Sequence, residues 1–292
     1  MTPGGAAEPP RPTAIGRFLA AGILPRIAVI VVGVPCLYLI TRRGGVFFLG
    51  LVLLVILLGL REFYALMRSK GYRPFEPLGQ AAAAAIAVYA WHQGIAVPLV
   101  LTSALLVIMV RELFRGELGH ALGHMAVTVF GIMYVGWLGS HLVMLRQLPA
   151  ASGAPDSVGA QMVFFAALVT WATDTGAYLA GIALGRHKLA PRISPKKTRE
   201  GAVGGLVAAA LVGWLCARGF AGFVTPLSGA LLGLAAGVVG QLGDLVESLI
   251  KRDAGTKDTA ELIPGHGGVL DRFDSLLFVV PVLYYWFRLV VV

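Results

Sequence analysis

Apolar runs long enough to cross a bilayer recur along almost the whole chain, and they leave very few folds open. They fall near residues 26–41, 45–60, 78–92, 96–110, 121–145, 160–184, 202–219, 226–250 and 275–291. Inside a bilayer every backbone N–H and C=O must find its partner within the protein, so only helices and closed barrels span it. The period-two alternation of a barrel strand is missing here, which excludes a barrel. The reading is therefore an all-α, polytopic transmembrane helix bundle of about nine spans. Composition agrees: 57% of residues are hydrophobic and 13% charged, against roughly 25% charged in a soluble domain. Residues 1–25 open on a Pro- and Gly-rich stretch without an apolar signal core and read as a disordered cytoplasmic tail. Residues 26–150 read as N-terminal membrane helices, and residues 160–292 as the region that carries chemistry.

Loop charge sets the orientation. Arg61, Arg68, Lys70 and Arg73 fall in one connection. Arg186, Lys188, Arg192, Lys196, Lys197 and Arg199 fall in a second, and Lys251, Arg252, Lys257 and Arg272 in a third. The positive-inside rule makes these loops cytoplasmic, with the N-terminus inside and the C-terminus outside. The net charge of +9 is explained by this bias, and without a stacking-aromatic motif no nucleic-acid partner is expected. The connection 146–159 carries one Arg and many turn formers, which suits the opposite face. Gly181/Gly185, Gly201/Gly205 and Gly233/Gly237 have the spacing that lets helices pack closely. Cys36 and Cys216 lie in spans without a CxxC pair and read as small buried hydrophobes. His92, His141 and Glu62 read as membrane-interface residues, and His120 and His124 as interfacial too.

Seven of the fifteen acids fall within residues 244–274: Asp244, Glu247, Asp253, Asp258, Glu261, Asp271 and Asp274. Ionisable groups at membrane depth are expensive, so this cluster marks a functional site. Asp244, Glu247, Ser248 and Lys251 share one helix face. Asp271 and Asp274 are three apart at the start of the last helix, where their carboxylates can converge or cap that helix. Three carboxylates, Asp244, Asp271 and Asp274, suit a hard divalent cation such as Mg²⁺, with positions left for water and phosphate. An internal ion pair of Asp244 or Glu247 with Lys251 is the structural alternative. Between the two acid groups, Lys257 suits a phosphate and Asp258 can hold it or join the metal. The Gly265-His266-Gly267-Gly268 turn lets backbone N–H groups approach an anion.

The second basic connection packs six cations into residues 186–199, with Ser194 and Thr198 as further donors. That density suits a polyphosphate, although an ordinary positive-inside loop also collects Lys and Arg. Asp174 lies inside a preceding span. Two spans separate the second and third basic connections, so both emerge on one side and can build one site.

Ser248-x-x-Lys251-Arg252, Lys257-Asp258, His266-Gly267-Gly268 and Asp271-Arg272-x-Asp274 together resemble the signature of the phosphatidate cytidylyltransferases, the CDP-diacylglycerol synthases. The lead-in from Asp244, the Asp174-Thr-Gly-Ala-Tyr stretch and the SPKKTREG loop are similar to that family as well, over residues 160–290. The resemblance implies an Mg²⁺-dependent nucleotidyltransferase of phospholipid synthesis. It would join CTP to phosphatidate in a multi-pass bacterial inner membrane, giving CDP-diacylglycerol and pyrophosphate at the cytoplasmic face. It implies catalytic roles for Asp244, Ser248, Lys251, Arg252, Lys257, Asp258, His266, Asp271 and Asp274. Ser194, Lys196, Lys197, Thr198, Arg199 and Asp174 would bind the nucleotide. Asp244, Asp271 and Asp274 would hold Mg²⁺, with a second cation allowed. CTP, phosphatidate, membrane lipids and a homodimer are the expected partners. A CTP-using lipid kinase would release CDP instead, and a cation transporter would need no nucleotide loop. No P-loop and no CDP-alcohol phosphotransferase pattern occur.

Overall fold

The computed structural model describes residues 33–92, 96–116, 119–256 and 268–291, together with Val31. The chain runs α1 (Val34–Arg43), α2 (Gly45–Ser69), α3 (Glu76–Trp91), α4 (Val97–Leu113) and α5 (Ala121–Gly131). A π-helical turn, Ile132–Trp137, joins α5 to α6 (Leu138–Gln147), which passes through the 3₁₀ turn Leu148–Ser152. Then come α7 (Asp156–Leu184), a hairpin of β1 (Lys188–Ala190) and β2 (Ser194–Thr198), α8 (Arg199–Gly219), α9 (Pro226–Asp253) and α10 (Leu270–Val290).

Six helical segments among the described residues are long and apolar enough to cross a membrane: Gly45–Ser69, Ala121–Ala150, Asp156–Leu184, Arg199–Gly219, Pro226–Asp253 and Leu270–Val290. The expected nine are not all of that kind. Helices α3 and α4 have 16 and 17 residues, or roughly 25 Å each at 1.5 Å per residue. The short hairpin also adds strand to a chain read as all helix. Its antiparallel register sets Lys188 opposite Thr198 and Ala190 opposite Ser194. Two strands of three and five residues with a Pro at each side of the turn give too short a period to read from sequence.

Helix ends identify the two faces. At one end Arg68 pairs with Glu76 and Lys70 with Asp253. Arg115 donates to the Arg73 carbonyl at 3.0 Å there. At the other end Arg146 is almost fully buried. It donates to Thr41 O at 2.9 Å and to both Asp156 carboxylate oxygens at 2.7 Å. Arg146, the one Arg of the 146–159 stretch, thus sits buried within a helix as a latch, with its partner Asp156 exposed.

Packing follows from small residues. A Cβ on Gly205 would stand 2.8 Å from Thr173 O and one on Gly201 2.7 Å from Ala177 O, so α7 and α8 touch backbone to backbone. Such approach supplies the dispersion contact that holds helices together in lipid. Likewise a Cβ on Gly243 would meet Asp274 O at 2.9 Å, which brings α9 onto α10 beside two of the acids. Three residues assigned to interfaces are instead buried, because each finds a partner. His124 Nδ1 lies 3.0 Å from Glu112 Oε1, His141 Nδ1 lies 2.9 Å from Trp137 O, and Glu62 meets α10. Cys216 is buried as expected, whereas Cys36 is exposed on α1.

Candidate active site at the basic end of the bundle

Thr198 begins the site. Its Oγ1 accepts from Gly201 N at 3.1 Å, the N-cap that starts α8. Arg199 N donates to His187 O at 2.8 Å, and His187 Nδ1 lies 2.6 Å from Glu200 Oε1, so the hairpin is tied to the helix it precedes. In β2 successive side chains point to opposite sides. Lys196 is accordingly exposed, while Lys197 turns in and places its ammonium 2.6 Å from Asp244 Oδ2. Arg252 Nε donates to Ile193 O at 3.1 Å and fastens the hairpin turn to the end of α9.

Helix α10 has no side-chain cap of its own. Glu62, 1% exposed and more than 200 residues earlier, accepts from Val269 N and Leu270 N, each at 2.8 Å. A carboxylate on two free N–H groups at a helix N-terminus is a strong, charge-assisted contact. It fixes the turn from which Asp271 and Asp274 project. Asp271 receives Lys251 Nζ at 2.8 Å and Gly268 N at 3.0 Å. Lys251 also pairs with Glu247, so one ammonium bridges α9 and α10. Ser248 Oγ lies 3.4 Å from Asp244 Oδ1, and Asp274 accepts from Ser275 N.

A cavity of about 440 Å³ opens between α7, α8, α9 and the hairpin. Asp174, Tyr178, Lys196, Lys197, Gln241 and Asp244 line it. Asp174, Asp244 and Asp274 lie within electrostatic reach of one another, and Lys197 and Lys251 are the nearby cations. The fold thus joins Asp174, Lys196, Lys197, Thr198, Asp244, Ser248, Lys251, Asp271 and Asp274 in one region. Ser194 and Arg252 are at the turn end of the hairpin, and Arg199 is exposed. Lys257, Asp258 and His266 lie outside the described residues.

Among the described residues no three acid, His or Cys side chains stand close enough to hold a metal ion. Asp244 and Asp271 are each turned to a lysine instead. The donor chemistry still suits a hard cation, being all carboxylate oxygen, and the two ammoniums mark where positive charge is accepted. Three contributors to the site, Glu62, Gln241 and Tyr134, escaped the sequence reading. Glu62 and Gln241 serve the site from helix interiors, Gln241 Nε2 donating to Ala202 O at 3.1 Å. Glu247, read as part of the Asp244 face and as a possible partner of Lys251, does pair with Lys251. Tyr134, on the π-helical turn, is buried within reach of the acids, and its hydroxyl has no hydrogen-bond partner among the described residues. The signal available for Glu62 was a carboxylate inside an apolar helix.

The sequence pattern of the cytidylyltransferase family matches residues 24–290. A phosphatidate cytidylyltransferase from Synechocystis sp. is 37% identical over 283 residues, 89% of this chain and 95% of that protein. One from Bacillus subtilis is 44% identical over 156 residues, 52% of this chain and 54% of that protein. One from Staphylococcus saprophyticus is 51% identical over 128 residues, 44% of this chain and 49% of that protein.

Proposed function

The chain belongs to the cytidylyltransferase family, and we propose that it condenses CTP with phosphatidate to give CDP-diacylglycerol and pyrophosphate. The observation that carries this reading is the meeting of Lys196, Lys197, Asp174 and Asp244 around one cavity at the basic end of a membrane bundle.

The phosphate monoester of phosphatidate has a second pKa of about 6, so its oxygen is already a nucleophile at neutral pH. That oxygen bonds to the α-phosphorus of CTP, the α–β phosphoanhydride bond breaks, and pyrophosphate carries away the electron pair. No general base is needed. The barrier lies in bringing two anions together, which calls for positioning and charge neutralisation. Lys196 and Lys197 line the cavity that would take the nucleotide phosphates and the departing pyrophosphate, and Arg199 and Lys257 add positive charge to the same two basic stretches. Ser248 and Arg252 face the lipid phosphate, and Lys251 holds Asp271 in place. Mg²⁺, when bound, neutralises charge on the CTP phosphates, and Asp244, Asp271 and Asp274 would hold it.

The same reading makes α1, α3 and α4 membrane segments too, completing nine passes in a bacterial inner membrane with the site cytoplasmic. Arg68–Glu76 at the start of α3 and Arg115–Arg73 after α4 support this, since α3 and α4 together leave the basic end and return to it. The exposed apolar helix faces leave room for a homodimer.

Purified protein with labelled CTP, phosphatidate and Mg²⁺ should yield CDP-diacylglycerol and pyrophosphate, and chelator should abolish both. Release of CDP with a phosphorylated lipid would overturn the reaction assignment. Full activity in chelator would remove the metal.

A further inference from the structure

A second and larger cavity, about 790 Å³, lies between α1, α2, α7 and α10 and runs toward the latch end of the bundle. Its lining is apolar apart from Thr41, Arg42, Asp156, Ser157 and Gln161, which sit on the stretches of α1 and α7 next to the latch. The site already described lies beyond the opposite end. One face of α7 connects the two. Gln161, Phe164, Leu168 and Trp171 line the apolar cavity, and Asp174 and Tyr178 line the polar one. Steps of three and four keep all six on a single helical stripe. Phe273 of α10 lines the same cavity one residue before Asp274.

Resting on the reading of the protein as a phosphatidate-using enzyme, we propose that this cavity receives an acyl chain of the lipid substrate and sets its chain-length preference. Length supports the assignment. From Gln161 to Trp171 the stripe is about 15 Å at 1.5 Å per residue, half of the roughly 30 Å hydrocarbon thickness that two facing acyl layers fill. Polarity supports it as well. The stripe changes from aromatic and aliphatic to carboxylate between Trp171 and Asp174, as a phosphatidate changes from tail to phosphate. A lipid whose phosphate enters the polar site beyond Asp174 therefore directs its tail along α7 into the apolar space.

The test compares dioctanoyl and dioleoyl phosphatidate as substrates of the purified full chain in detergent, with CTP and Mg²⁺. Ala167→Trp places an indole in the cavity. It should lower kcat/KM for the dioleoyl lipid about tenfold, the loss expected when about two methylenes are displaced. The dioctanoyl rate should stay within twofold, which also shows the variant folded. Phe164→Ala enlarges the space and should move the ratio the other way. An active wild type whose chain-length ratio moves in neither variant overturns the cavity assignment alone. Equal loss on both lipids in Ala167→Trp, with an unmoved ratio in Phe164→Ala, does the same. A wild type that makes no CTP-dependent product from either lipid defeats the enzymatic reading, and the assignment with it.

Discussion

The bundle buries charge at both ends, and the two ends handle it differently. At the latch end Arg146 meets Asp156 with two 2.7 Å contacts and meets the Thr41 and Arg42 carbonyls, so its guanidinium is saturated. Gly44 and Gly159 pack against it. At the basic end Asp174, Glu247, Asp244, Asp271 and Asp274 share Lys197 and Lys251. A cavity opens beside them. Both arrangements use ordinary ion pairs. A closed, fully partnered charge is structural glue, whereas an excess of acid facing a cavity awaits a ligand.

Four substitutions can break or sharpen that contrast. Asp244→Asn, which removes the carboxylate facing Lys197, should cut CTP-dependent product formation by at least about a hundredfold, a loss typical of a key electrostatic group. The midpoint of thermal unfolding in detergent should barely move, and near-normal turnover would abolish the distinction between the ends. Arg146→Met should do the reverse. It strands the Thr41, Arg42 and Asp156 carbonyls and unpairs the exposed Asp156 carboxylate, costing about 2–3 kcal/mol, with turnover per folded molecule unchanged. A comparable loss of turnover would show that the latch reaches the site.

Glu62→Gln lies between these cases. It removes one charge-assisted bond to the α10 N-terminus, worth roughly 1–2 kcal/mol, and loosens the turn that carries Asp271 and Asp274. Activity should fall about tenfold along with a modest drop in the unfolding midpoint. Stability loss without activity loss would make Glu62 a cap only. Asp253→Asn, at the exposed pair with Lys70, should shift the midpoint by less than about 0.5 kcal/mol equivalent and leave turnover alone. A large effect there would mean that the α2–α9 contact governs the site.

Part of the site was legible because chemistry and spacing are both local on a helix. Asp244, Ser248 and Lys251 had to share a face, and Asp271 and Asp274 had to leave the same turn. The period of the apolar runs likewise fixed a helical membrane bundle and excluded a barrel. Loop charge and span parity placed the two basic stretches on one side, where Lys197 does meet Asp244. The number of passes was less legible, since α3 and α4 are too short to satisfy the length of a full span by themselves.

What the linear chain determined by itself was solvent, the long helices and the identity of the charged groups, because each depends on residue type and near-neighbour period. Tertiary structure alone decided their partners. It brought Glu62 to the first turn of α10, turned Asp271 to Lys251, and buried His124 against Glu112. It also hid Arg146 in a latch and ran one face of α7 past two cavities. Burying a charge is tolerable only where a partner stands, and for these residues the partner comes from a different helix. Helices separated by tens to hundreds of residues meet only through packing, and no local period encodes where.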